Sequence, residues 1–351
     1  GKSRVQWKIQ IDTMRRKLLL LCMCMVPWFA WGQDVQYSQY YANPIYLNPA
    51  LVGSTGMSRV GFSFRNQWPA LDQTFVAYSA YIDHFNEKLN SGVGLIFQGV
   101  SESFTETSWN EVGIVYSYRL KLSAKGFIQA GVQGSFISRD SGFGRVVLGS
   151  QLDIDRGSID YSGSGFDGES QVRDLDIHAG LVYYGNKGWL GASLAHLLQP
   201  SISYIVDGAS RLPRKLSLHG GYRFNLAPGN INDYFNNTDQ ERSFSFGFNY
   251  KQQGQFSQLD VGTEFFFDPL ALGLWYRGLP TKYGLPNHES IVVVVGVSLD
   301  SGLDLGYSFD FPISSFGLAR SGGAHELSVR YVFLSQLLDK RRIRTLPTFR
   351  Y

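Results

Sequence analysis

From residue 57 onward the chain alternates apolar and polar side chains in steps of two. It does so in about fourteen segments of roughly ten residues, separated by turn-forming residues. Val60, Phe62 and Phe64 alternate with Arg59, Gly61, Ser63 and Arg65. Val112, Ile114, Tyr116, Tyr118 and Leu120 alternate with Glu111, Gly113, Ser117 and Arg119. The same beat returns in Phe244, Phe246, Phe248 and Tyr250 against Ser243, Ser245 and Asn249, and in Leu303, Leu305, Tyr307 and Phe309 against Asp304, Ser308 and Asp310. Successive residues of a strand point to opposite faces, so each segment has one greasy and one polar side.

A secreted sandwich would alternate in the same way. Three features favour a barrel in a membrane. The segments run roughly nine to twelve residues, the reach of a tilted spanning strand. The apolar face is rich in aromatics, as interface girdles require. A leader-like run precedes it all. The fold expected is therefore all-β, a transmembrane antiparallel β-barrel of about 14 strands over 57–334.

The leader-like run is 18–31, interrupted by Pro27 and too short to cross a bilayer as a helix. Arg15, Arg16 and Lys17 follow Met14, and Ala30-Trp31-Gly32 supplies small residues, so 1–32 reads as an upstream extension with a signal peptide and Gln33 as the mature start. Lipid attachment at Cys22 or Cys24 is the weaker reading, because the Leu residues before them lack the small-residue pattern of such a site.

Connection lengths sharpen the barrel reading, since bacterial barrels have short periplasmic turns and longer outer loops. Connections 121–126, 185–188, 267–270 and 299–302 are short, while 139–173, 199–213, 278–288 and 312–324 alternate with them as long loops. Two break the rule: 252–255 is a short outer hairpin, and 225–241 is a long excursion on the periplasmic side. A miscounted strand would explain both.

Composition excludes several classes. With 15% aromatic and 17% charged residues the chain is no disordered or acidic tail. Of 32 Lys and Arg and 29 Asp and Glu, residues 1–32 hold six and one, leaving 26 basic against 28 acidic. The remainder lacks a basic face for nucleic acid. Both cysteines lie in the leader, so the rest has no disulfide and no thiolate.

The stretch after the leader, Gln39-Tyr40-Tyr41-Ala42-Asn43-Pro44-Ile45-Tyr46-Leu47-Asn48-Pro49-Ala50-Leu51-Val52-Gly53-Ser54, resembles the N-terminal signature of the PorP/SprF family of type IX secretion membrane proteins. Further matches follow in order: Arg65-Asn66-Gln67-Trp68, His196-Leu197-Leu198-Gln199-Pro200 after a seventh strand, Leu274-Trp275-Tyr276-Arg277, Tyr307-Ser308-Phe309-Asp310, and Gly322-Gly323-Ala324-His325-Glu326-Leu327. The resemblance covers about residues 36–334; it departs at Gly323-Ala324-His325-Glu326, where the family has Gly-Ser-His-Glu, and finds no match over 142–173. It implies an outer-membrane barrel of the type IX secretion and gliding apparatus, or the dedicated partner of one exported protein. That protein is often a surface adhesin, whose C-terminal domain the barrel receives. Outer-membrane lipid and other type IX components of the periplasm or outer membrane are the further partners implied. A diffusion channel or small-molecule transporter is the alternative.

Before the first strand, Asn48-Pro49-Ala50 reads as a tight ordered turn. Residues 33–56 are expected to plug the lumen, because about fourteen strands enclose more space than wall side chains fill. Direct partner contact is the alternative for this segment. Arg65, Arg119, Arg223, Arg277 and Arg330 share the polar parity of Glu111, Asp176, Asp260, Glu264, Asp304 and Asp310, so they should point inward as ion-pair ladders. His325 and Glu326 open the last strand and could bond a plug or a neighbouring strand.

No cofactor, metal or catalytic residue is expected. The histidines, at 84, 178, 196, 219, 288 and 325, lie in different segments without ligand spacing. Ser193 with His196, or His288 with Ser290, are poor hydrolase candidates. Gly92-x-Gly94 and Gly142-x-Gly144 are not phosphate loops. The basic tail 335–351 reads as solvated disorder, or as a dock for an acidic periplasmic ring component together with 225–241.

Overall fold

The computed structural model describes residues 34–333 apart from 72–73, 104–105, 124–125, 143–151, 154–157, 160–169, 186, 205–207, 209, 227–241, 283–284 and 315–316. The leader 1–32 and the tail 335–351 lie outside the described residues, as does most of the excursion 225–241.

Fourteen strands close into one antiparallel barrel. They are β1 (Ser58–Gln67), β2 (Phe75–Asn86), β3 (Ser91–Glu102), β4 (Thr107–Lys121), β5 (Phe127–Asp140), β8 (Gln171–Tyr184), β9 (Gly188–Ala195), β10 (Lys215–Asn225), β11 (Arg242–Gln253), β12 (Phe256–Phe267), β13 (Leu270–Lys282), β14 (Leu285–Ser298), β15 (Leu303–Pro312) and β16 (Ala324–Phe333). A two-residue pair, β6 (Leu152–Asp153) with β7 (Ser158–Ile159), interrupts the connection from β5 to β8. Each barrel strand pairs with the next in the chain, and β1 pairs with β16 from Ser58 opposite Phe333 to Gln67 opposite Ala324. Closure leaves no open edge, which a strand wall in hydrocarbon requires. No helix among the described residues is long and apolar enough to cross a membrane.

Burial is inverted relative to a water-soluble sheet. Ile114 is 70% exposed, Leu175 62% and Leu190 58%, while Glu111, Arg277 and Ser308 are at most 2% exposed. An outer surface of this kind suits lipid, because an apolar belt this continuous is not left to water.

The short connections β2–β3, β4–β5, β8–β9, β12–β13 and β14–β15 gather at one end, and the long ones after β5, β9 and β15 at the other. Both exceptions to the length rule are real. β11 and β12 join by a tight turn at the long-loop end, and β10 and β11 are separated by 226–241 at the short-turn end. The 278–288 loop is corrected: β13 and β14 continue pairing as far as Lys282 opposite Leu285. Gly278 and Pro280 break the alternation there and read as a turn. The sheet instead absorbs the break with register shifts at Arg277/Gly278 and Leu279/Lys282, and Gly278 adopts φ 137.

Residues 34–57 thread the lumen. A helical turn, Pro44–Leu47, and a 3-10 turn, Pro49–Leu51, each begin with proline, whose missing N–H is unneeded there. Asn48 lies between them in extended geometry and its side chain accepts from Ala50 N, capping the second turn. Apolar side chains of the segment complete a core with the inner wall. Tyr40, Tyr41, Leu47, Ala50 and Leu51 cluster with Val182, Trp189, Trp275, Val292 and Val294. The unbroken run Ile291–Val295 therefore makes sense: one face meets lipid, the other meets this segment.

Candidate functional site: the filled lumen

The wall makes room for the lumen segment by omitting side chains. Gly131 of β5 and Gly180 of β8 are register partners. A Cβ on Gly131 would collide with the backbone of Ala50, and one on Gly180 with the Asn48 carboxamide. The Asn48-Pro49-Ala50 turn sits in this notch. Its Asn48 Nδ2 donates to Ala192 O at 3.0 Å and Leu181 O at 3.2 Å, and lies 3.1 Å from His219 Nε2. The carboxamide thus ties the turn to both β8 and β9.

Towards the short-turn end the chain reverses into β1. Gly53, at φ +68, donates to Asp83 Oδ2 at 2.6 Å, and Asp83 also takes a two-pronged contact from Arg59 at 2.7 and 2.9 Å. A side chain at Gly53 is excluded twice, by its left-handed backbone and by Gly92 Cα 2.9 Å from where a Cβ would lie. Arg119 donates to Gly53 O at 2.9 Å with its guanidinium 3.9 Å from the centre of the Phe85 ring. Gln129 and Ser117 both donate to Val52 O, at 2.7 and 2.9 Å.

Near the long-loop end, Glu326 accepts from the backbone N–H groups of Ser38 at 2.6 Å and Gln39 at 2.9 Å, and pairs with Arg65 at 3.2 Å. Asp310 accepts from Ser38 Oγ and lies 2.8 Å from both Arg65 and Arg277. Arg277 continues to Asp260 at 3.0 Å and to Tyr37 O at 3.3 Å. Arg330 pairs with Asp304 at 2.8 Å. Arg65 and Arg277 thus share Asp310 in one linked network that includes the lumen segment, Arg330 and Asp304 form a separate pair, and Arg119 binds carbonyls of the segment in place of a carboxylate. Removing one member would strand a buried charge, which is far costlier than the network is stabilising.

Asp34 anchors the segment at the long-loop rim through Lys215, Gln253 and His196. Burial works against its charge, yet His196 and Lys215 hold the carboxyl well below the usual range. His196, just past β9 and at φ 58, is likewise disfavoured as a cation by burial. The negative charge of Asp34, together with the hydrogen bonds that Asp176 and Asp34 accept from the ring, raises it instead to about 9. Burial pushes the phenols of Tyr37, Tyr40 and Tyr46 well up.

The remaining motif residues divide between inner and outer faces. Gln199, at φ 52, donates its N–H to His196 O, and Pro200 O accepts from Leu212, so the turn after β9 is locked back on itself. Trp68, at φ 61, donates its N–H to Gly323 O, tying the first outer connection to the last. Tyr276 and His325 face outward, with Tyr276 Oη 2.7 Å from His288 Nδ1 and Tyr307 Oη 2.8 Å from His325 Nδ1. His325 and Glu326 are therefore neighbours in sequence with opposite environments. Ser193 donates to Leu47 O, and both ring nitrogens of His196 face carboxylates.

Sequence reasoning missed Asp34, Ser38, Gln39, Asp83 and Lys215, and it missed that His178 and His196 meet. The inward parity of Gly131 and of Gly180, each in its own strand, was the readable signal of the notch, and strand pairing sets the two side by side.

A family model described as "Type IX secretion system membrane protein PorP/SprF" matches residues 30–331. No curated protein matches the chain. Among solved structures it is similar to the P. putida toluene transporter TodX, at 12% identity and TM-score 0.44, over 82% of this chain and 93% of that one. It is also similar to a Pseudomonas aeruginosa FadL homologue, at 14% identity and TM-score 0.39, over 84% and 94%. The Acinetobacter baumannii outer membrane protein Omp33 matches at 9% and 0.39, over 79% and 98%.

Proposed function

The chain belongs to the PorP/SprF family of type IX secretion system membrane proteins, and from that premise we propose that it works without catalysis, by protein contact. In this reading it supports export or surface anchoring of a partner, such as an adhesin, by receiving the partner's C-terminal domain. Its location is the outer membrane. The loops 139–173, 199–213 and 312–324 at the long-loop end face outward and carry recognition, while the wall carries stability. Periplasmic type IX components, including those of gliding, meet the short-turn end.

The observation that supports this reading over a diffusion channel is the filled lumen. Residues 34–57 run from Lys215 and Gln253 at one rim to Asp83 and Arg119 near the other, hydrogen-bonded along the way. A barrel whose axis is occupied by its own backbone lacks the water-filled interior of an open diffusion pore.

Single-channel recording in planar bilayers tests it. The intact barrel should stay closed, and deletion of 34–56 should open it. Steady conductance by the intact barrel would favour the transporter reading. Replacing each outer loop with Gly-Ser while following adhesin display would identify the receiving loop; display that survives all three replacements would remove partner contact from this surface.

A further inference from the structure

We propose that Asp176, His178 and His196, with Glu111 as a fourth donor, form a site for one divalent transition-metal cation of the zinc type. The first three are buried, and one ligand atom from each lies within 4.8 Å of the others. They come from β8 and from the turn after β9, and Glu111 comes from β4. His178 Nε2 is 3.1 Å from Asp176 Oδ2 and 3.4 Å from Glu111 Oε1, and His196 Nδ1 contacts Asp176 Oδ2. Tetrahedral zinc with bonds of about 2.0–2.1 Å sets its donors about 3.3 Å apart. His178 thus already stands at about this spacing from Asp176 and Glu111, and the shorter Asp176–His196 contact must widen to accept an ion.

The groups behind the donors are those a metal centre uses. His196 Nε2 faces Asp34 Oδ2 at 2.8 Å, which directs Nδ1 into the cluster, as a carboxylate behind a ligating imidazole does. Gln133 donates to Glu111 Oε1 at 3.0 Å, and Ile177 N donates to Asp176 Oδ1 at 2.8 Å. Three carboxylates, Asp34, Asp176 and Glu111, stand against the cations Lys215 and Arg139. Imidazole and carboxylate without thiolate suit zinc and its neighbours rather than Cu(I). Binding replaces protons on the ligating nitrogens, which leave to solvent. The ion would join β4, β8 and the turn after β9. Through Asp34 it would also lock the lumen segment at the rim.

Full-length barrel in detergent, stripped with chelator, loaded with Zn2+ and dialysed, should retain a single zinc per barrel by elemental analysis. Co2+ should give tetrahedral d–d absorption. His178→Ala should weaken binding by more than about 100-fold, beyond the roughly 10–100-fold expected of Asp34→Asn, which removes only a supporting group. Folding is checked by the heat-dependent gel mobility of the barrel, and His178→Gln serves if the alanine variant does not fold. Substoichiometric zinc in the unmodified barrel, or equal retention by the His178 variants, would overturn the site. Unchanged affinity in Asp34→Asn would overturn its link to the lumen segment.

Discussion

Asn48 lies against Gly180 so closely that a methyl group on Gly180 would overlap the Asn48 side-chain oxygen. The pair is a lock between a wall strand and the segment that fills the barrel, and it is made of an absence on one side and a hydrogen-bonding head on the other. Gly180→Ala should therefore expel the turn at a cost of about 1–3 kcal/mol, the range for overpacking. Limited proteolysis of the lumen segment in an otherwise intact barrel reads this out.

Asn48→Ala removes the donor to Leu181 O and Ala192 O and the cap on Ala50 N. Unsatisfied buried groups cost about 1–3 kcal/mol each, so segment release should ease by a similar amount. Because the two residues collide only when both carry side chains, the double variant with Gly180→Ala should cost less than the sum of the singles. A strictly additive double mutant would show that the notch does not hold the turn.

Arg277→Met should be among the most damaging single changes in the wall. It strips one of two counter-charges from Asp260, which keeps Lys251, and one of two from Asp310, which keeps Arg65; breaking a buried pair typically costs about 3–5 kcal/mol. Thermal unfolding followed by gel mobility measures it. Arg277→Lys, which keeps charge but loses the planar fork, should fall between the two.

Ile114 is the middle residue of β4 and points outward. Arginine there should cost about 2–4 kcal/mol in a bilayer, as expected near the midplane of a lipid-facing wall. Equilibrium unfolding from lipid vesicles tests it, and a neutral effect would mean that this face does not meet hydrocarbon.

Much of the wall was legible from residue order. Alternation placed Glu111 and Arg119 inside and Ile114 and Tyr116 outside, because pleating alone sets that parity, whatever the strand is paired with. The turn at Asn48-Pro49-Ala50 was legible for the same local reason. The run Ile291–Val295 was harder: its inner face is apolar because the lumen segment covers it, and that cover lies about 240 positions earlier in the chain. The continuation of β13 past Gly278 was lost because glycine and proline read as a turn, and only a partner strand reveals a bulge.

Residue order by itself determined that strands form, which of their faces seeks lipid, and that the wall is of barrel length, since these depend on two-residue periodicity and the thickness of a bilayer. Tertiary structure alone decided which groups meet across the lumen. Glu326 holds Ser38, Gly180 yields to Asn48, and His178 reaches His196 because ring closure and strand register bring distant positions to one height on the inner wall. Register is a property of paired strands, so no single stretch of chain contains it.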